Sequence, residues 1–262
     1  MVEDTPKPVP KNPVIEEQER VRASLHAVKK KVGVHSGKGG VGKTFIACNL
    51  ALLLRADGFE VGLLDADVDC PNVPAFLNRT DDLEIDSEGR ITPIVHHGVR
   101  IVSTGFVQKD DEPFIVRGPI KHKVLVDFFE KTQWGPLDYL IIDFPPGTSD
   151  APLSAMQLSG LDGVILVTTP QKESVADVRR AAGMARKLGV PIIGLIENMA
   201  GEVFGSVGEE LAKGLAIPFL GTIPLSHGIA QANSQGQAVL LVLEECAPIA
   251  KRLLAAVARS PA

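Results

Sequence analysis

One stretch constrains the fold more than any other: Ser36-Gly37-Lys38-Gly39-Gly40-Val41-Gly42-Lys43-Thr44, set between an apolar run ending at His35 and an amphipathic run starting at Lys43. Gly37, Gly42, Lys43 and Thr44 satisfy G-x-x-x-x-G-K-[ST]. Residues without a Cβ let successive backbone N–H groups turn inward and approach phosphate oxygens closely. The following helix adds the positive end of its dipole. In such a loop the lysine, Lys43, reaches the β- and γ-phosphates, and the hydroxyl of Thr44 ligates Mg²⁺. The loop needs a strand and a helix to hold its two ends, so it commits the chain to an α/β architecture.

The rest of the chain agrees. Short apolar runs alternate with amphipathic stretches, the pattern of a mostly parallel sheet covered by helices. Strands are expected at Lys31–His35, Glu60–Asp65, Val99–Ser103, Tyr139–Asp143, Gly163–Thr168, Pro191–Glu197 and Phe219–Thr222. Helices are expected at Lys43–Asp57, Ile120–Thr132, Ala151–Leu158, Ser174–Leu188, Gly208–Gly214, Gly228–Ser234 and Glu244–Ala258. Asp81–Gly98 is polar and turn-rich, and reads as a hairpin at the sheet margin. The expected fold is one domain, a mainly parallel sheet of seven or eight strands with helices on both faces and the loop-bearing strand near its centre. Residues 1–15, with Pro6, Pro8, Pro10 and Pro13, read as a mobile, extended leader, and 16–262 as the domain. Val21, Leu25 and Val28 recur at helical spacing, so a helix is expected over Glu16–Lys30, with the basic Val28-Lys29-Lys30-Lys31-Val32 at its end.

Two strand ends supply the carboxylates that a magnesium–nucleotide site requires. Leu63-Leu64-Asp65-Ala66-Asp67 ends one strand at Asp65, and Leu140-Ile141-Ile142-Asp143 ends another. Every chemical motif falls at the C-terminal end of a strand, where open α/β sheets bind ligands. ATP and Mg²⁺ are therefore the expected ligands, and ATP hydrolysis the expected activity.

Composition narrows the setting. Hydrophobic residues make up 45% and charged residues 23%, and the formal net charge is −5. A dedicated nucleic-acid binder usually carries a basic surplus, so no nucleic-acid partner is expected. Three scattered cysteines make no disulfide framework, the N-terminus has no secretory pattern, and no apolar run is long enough to span a bilayer. A reduced, cytoplasmic protein without a membrane partner is the expectation.

The second lysine inside the loop, Lys38, brings in a resemblance. Gly37-Lys38-Gly39-Gly40-Val41-Gly42-Lys43-Thr44 resembles the deviant-Walker ATPases that include MinD, ParA, nitrogenase reductase and the Mrp/ApbC-type iron–sulfur cluster carriers. Asp65-Ala66-Asp67-Val68-Asp69-Cys70-Pro71-Asn72-Val73-Pro74, Arg117-Gly118-Pro119, Asp143-Phe144-Pro145-Pro146-Gly147-Thr148 with Asp150, Thr169-Pro170-Gln171, Glu197-Asn198-Met199 and Ile223-Pro224-Leu225 are similar to the Mrp/ApbC branch in particular. The resemblance implies roles. Lys38 would cross a two-fold interface to the partner subunit's phosphates, and Asp67 would orient the attacking water. Asp65 and Asp143 would join Thr44 in supporting the magnesium shell. Asn198 would recognise adenine, with Pro224 also at the nucleotide. It further implies a homodimer formed on ATP binding, and a client or cluster-bearing partner protein.

The sequence departs from that branch in one place. Members carrying a bridging 4Fe–4S cluster have a C-x-x-C pair shortly after Glu-Asn-Met. Here Glu197-Asn198-Met199-Ala200-Gly201-Glu202-Val203 runs directly into Phe204-Gly205. A bridging cluster takes two thiolates from each subunit, and this chain has only Cys48, Cys70 and Cys246. A stable cluster of the usual kind is not expected. Cys48 and Cys246 read as core residues. Cys70 reads as a partly buried thiol and is the one candidate for a weak cluster ligand. His96 and His97, in a candidate strand, are expected on opposite faces and not as co-ligands. Two functions follow: an ATPase of the Mrp/ApbC type serving iron–sulfur or metallocofactor assembly, or a ParA/MinD-like ATP-driven switch that docks to a partner protein without metal cargo.

Overall fold

The computed structural model describes residues 12–107 and 117–260. The chain opens with α1 (Pro13–Ser24), whose first turn is capped by the Asn12 side chain accepting from the Val14 N–H at 3.1 Å. It then alternates as β1 (Val28–His35), α2 (Lys43–Ala56), β2 (Val61–Asp65) and the short α3 (Val73–Phe76). A small excursion follows: β3 (Glu84–Ile85), β4 (Ile91–Thr92), β5 (Ile94–His96) and β6 (Val99–Val102). After that come α4 (Gly118–Lys131), β7 (Leu137–Asp143), α5 (Asp150–Ser159), β8 (Gly163–Thr168), α6 (Lys172–Lys187) and β9 (Ile192–Ala200). The chain closes with α7 (Gly208–Leu215), β10 (Phe219–Pro224), α8 (His227–Ser234), α9 (Val239–Val242) and α10 (Ala247–Arg259).

Eight strands form one sheet in the order β10-β9-β8-β1-β7-β2-β6-β5. All neighbours are parallel except β5, which pairs antiparallel with β6 at the margin. The expected hairpin is present as the separate β3–β4 pair. β1 sits inside the sheet between β7 and β8, as expected for the loop-bearing strand. One face of the sheet, with Val32, Val34, Ile141 and Ile165, packs on α2, α8, α9 and α10. The other, with Leu64, Ile142, Leu166 and Leu195, packs on α1, α4, α5, α6 and α7. Burial on both sides explains why the central strands read as unbroken apolar runs.

Two sequence expectations change. The first helix stops at Ser24, and Val28-Lys29-Lys30 belong to β1. Val28 pairs with Leu137, Lys29 Nζ meets Asp138 at 2.8 Å, and Lys30 Nζ donates to the carbonyls of Ala258 and Ser260 at the end of α10. The 3-and-4 spacing through Val28 persisted because Val21, Leu25 and Val28 line one core from two different elements. The helix also takes in Pro13, Val14 and Ile15, placed in the leader from sequence; residues 1–11 of that leader lie outside the described residues. Among the described residues no helix is long and apolar enough to cross a membrane.

Candidate functional site: a phosphate loop over buried carboxylates

The loop after β1 is tight for reasons that differ residue by residue. A Cβ on Gly37 would lie 2.1 Å from the backbone carbonyl carbon of Asp177 in α6. Gly42, the N-cap of α2, has φ +90°, and a Cβ there would lie 2.2 Å from Nδ2 of Asn198. Gly39 and Gly40 are exposed, and Val41 is buried and anchors the loop in the core. Ser36 Oγ donates to the Lys38 carbonyl at 2.7 Å, and the Gly147 N–H donates to the Ser36 carbonyl at 2.9 Å, tying the loop to the segment after β7. The nine-residue stretch 36–44 is thus clamped by α6, β9 and the β7 exit together.

Below the loop, Lys43 is buried at the start of α2, and Thr44 Oγ1 donates to Asp143 Oδ2 at 2.5 Å. Asp65 and Asp143 end adjacent strands in direct register. Asp65 is wholly buried: Oδ2 accepts from Ser103 Oγ at 2.9 Å and the Val73 N–H at 3.2 Å, and Oδ1 from the Asp67 N–H at 3.2 Å. Asp67 Oδ1 in turn accepts from the Cys70 N–H at 3.2 Å. Burial, reinforced by the neighbouring Asp143, raises the pKa of Asp65. Burial likewise raises that of Asp143 against the opposing pull of Lys43 and Thr44, and that of Asp67.

This donor set fits Mg²⁺. Asp143 Oδ1 is buried with no hydrogen-bond partner, beside the Thr44 hydroxyl. Three buried carboxylates face a single buried lysine, and a hard divalent cation offsets that excess. Among the described residues no three His, Cys, Asp or Glu side chains form a ready-made metal cage. Magnesium is usually held by one or two protein groups together with substrate phosphates, and Thr44 and Asp143 are such a pair.

The remaining expected residues are placed as follows. Lys38 Nζ donates to Oε1 of Gln171, the N-cap of α6, 3.1 Å away. Asn198 Nδ2 donates to the Val41 carbonyl at 3.0 Å, so β9 braces the loop directly. Pro224 ends β10 opposite Ala200 of β9. Cys48 and Cys246 are buried, as expected, but Cys70 is exposed, not partly buried, although its N–H donates to the buried Asp67. The rings of His96 and His97 meet at 4.2 Å instead of parting, since His97 leaves the strand at φ +47°. Sequence reasoning missed His35, Ser103 and the role of Gln171. His35 is buried beneath the loop with both ring nitrogens unpaired, although the backbone of Pro145 and Gly147 lies close. His35 at the end of β1 and Ser103 just after β6 gave only a positional signal, and Gln171 stood in the Thr169-Pro170-Gln171 motif without a role.

A glycine-rich loop leading into a helix, a buried lysine, and a hydroxyl bonded to a strand-end carboxylate in a parallel sheet define a P-loop NTPase. Residues 27–260 match the ParA-group family described as NUBPL iron-transfer P-loop NTPase, and the chain belongs to it. It is a nucleotide-binding ATPase of the MinD, ParA and Mrp type. It is 39% identical to the iron–sulfur cluster carrier protein of Methanocaldococcus jannaschii over 94% of this chain and 91% of that protein. The nucleotide-binding protein of Archaeoglobus fulgidus, solved in complex with ADP, superposes with a TM-score of 0.74 at 29% identity, over 87% of this chain and 95% of that one. The cell division ATPase MinD of Pyrococcus furiosus has the same fold, with a TM-score of 0.68 at 21% identity, over 88% and 99%.

Proposed function

We propose that this chain is a Mg²⁺-dependent ATPase that dimerises on ATP and serves iron–sulfur cluster transfer or assembly beside a cluster-bearing client. The observation that carries the nucleotide chemistry is the orphaned Asp143 oxygen beside Thr44 and Lys43. Thr44 and Asp143 would hold the magnesium ion, with Asp65 supporting from behind; the ion would offset charge on the phosphates. Gly37, Gly39, Gly40, Val41 and Gly42 supply backbone donors, and Lys43 sets its charge against the β- and γ-phosphates. Asn198 and Pro224 contribute to the nucleotide site from the ends of β9 and β10. Asp67, held by Cys70 and poised at the end of β2, orients the attacking water. Lys38, held outward by Gln171, supplies the cation that enters a partner subunit's site in trans, as an arginine finger does.

The cargo assignment rests on family membership. The chain's own thiols set its limit: with two of three cysteines buried, Cys70 is the one thiol each subunit presents. Two Cys70 thiolates across a dimer leave half of a 4Fe–4S ligand set to a client protein. The test is anaerobic reconstitution with iron and sulfide, wild type against Cys70→Ala, with iron counted after chelation and with and without ATP. Little chelator-resistant iron on the free protein, and transfer to a client accelerated by ATP, is expected. A near-stoichiometric, chelator-resistant cluster on the free protein overturns the shared-ligand reading. ATPase activity with no effect on any cluster acceptor leaves the metal-free switch.

A further inference from the structure

Glu197 is a wholly buried carboxylate that the hydrolysis chemistry does not use. It stands near the end of β9, paired across to Thr168 of β8 and Thr222 of β10. Both carboxylate oxygens are engaged: Oε1 accepts from the Val207 N–H at 2.8 Å, and Oε2 from the hydroxyls of Ser206 and Thr222. Gly208 makes room for it, since a Cβ there would lie 2.8 Å from Glu197 Cβ. Successive residues of a strand point to opposite faces. Glu197 therefore grips the start of α7 on one face, while Asn198 reaches the phosphate loop on the other, donating to Val41 and filling the space against Gly42.

We infer that Glu197 is a positioning residue for nucleotide binding, acting through Asn198. A buried carboxylate without its partners is costly, so the three bonds hold the end of β9 in one place. That place sets where the Asn198 amide meets the Val41 carbonyl. C=O and N–H of a trans peptide point in opposite directions, so pinning the Val41 carbonyl also orients the Gly42 N–H, one of the loop's donors. Releasing Glu197 lets the strand end shift and blurs that donor, which weakens ground-state binding more than the chemical step. The inference rests on the proposed ATP-binding function and adds a residue to it.

The experiment is a double-mutant cycle on full-length protein: wild type, Glu197→Ala, Asn198→Ala and the double variant, with ATP affinity measured by calorimetry and kcat measured separately. Glu197→Ala is expected to raise the Kd for ATP about tenfold with kcat within about threefold. Glu197→Gln, which keeps an acceptor for Val207 and a partner for Ser206, is expected to restore most of the affinity. The double variant is expected to bind no more weakly than Asn198→Ala alone, because residues that act as one unit are not additive. Penalties that multiply in the double variant, or an unchanged Kd in Glu197→Ala, overturn the inference. If Glu197→Ala does not fold, Ser206→Ala takes its place in the cycle and the same two results decide. A wild type that does not bind ATP sinks the parent function as well, whereas ATP binding with additive penalties sinks only the role of Glu197.

Discussion

Lowering the pH from 7 to 5 is expected to weaken this fold through one buried imidazole, His35. Burial, with the Lys43 charge nearby, lowers its pKa from 6.5 to about 3. The unfolded chain therefore binds a proton in the window between those values that the folded chain refuses. A depressed pKa of this kind leaves the stability intact above pH 6.5 and removes it as pH falls towards 3. Linkage puts the loss between pH 7 and pH 5 at about 2 kcal/mol, a large share of the 5–15 kcal/mol typical of a domain. The backbone of Pro145 and Gly147 favours the protonated ring, but burial and the Lys43 charge outweigh it. Because His35 immediately precedes the phosphate loop and packs edge-on against Phe144 at 6.2 Å, the strain falls on the nucleotide site first. Urea unfolding of wild type and His35→Gln at pH 5 and pH 7 measures the effect. The wild type should lose about 2 kcal/mol more than the variant over that interval. Identical pH dependences would refute the reasoning, as would an imidazole titration by NMR with a midpoint near 6.5 in the folded protein.

Thr44→Val removes the hydroxyl that meets Asp143 and should lower magnesium-dependent hydrolysis by 10-fold or more, on the order of one lost charge-assisted hydrogen bond; steady-state rates across a magnesium titration check it. Gly37→Ala drives a methyl into the Asp177 backbone and should abolish nucleotide binding, with destabilisation of roughly 1–3 kcal/mol, read by calorimetry and by thermal melting. Lys38→Ala should bind ATP as wild type does yet lose dimer-dependent hydrolysis, which light scattering and turnover at several protein concentrations report; wild-type dimerisation and turnover would sink the trans-lysine reading.

Much of this was legible from sequence because the chemistry demands it at fixed spacing. The loop, the two strand-end aspartates and the central position of β1 all follow from glycines, one lysine and apolar runs that cannot be arranged otherwise. What was not legible turned on contacts made at long range. Glu197 stood at the end of an expected strand and in the Glu-Asn-Met motif, but its burial became visible only with Ser206, Val207 and Thr222 closed over it. The exposure of Cys70 was not legible because it lies in a polar stretch between β2 and α3 that has no periodicity. The helix boundary at Ser24 was hidden because two elements happen to feed one core with helical spacing. His96 and His97 came together through a single positive φ, which a two-residue alternation does not reveal.

The strand order also fixes when the protein becomes able to hold its ligand during synthesis. β1 is made before its two neighbours in the sheet, β7 and β8, which come more than 100 residues later. At roughly 5–20 residues per second on the ribosome, the loop strand waits on the order of ten seconds for β8. Through that interval its apolar edges are unpaired, and a nucleotide has no cradle to stabilise. The last clamp, Asn198 on β9, emerges later still. ATP is thus a ligand of a chain that has already made β9, and its stabilising effect arrives only after the interval in which the β1 edges stand unpaired.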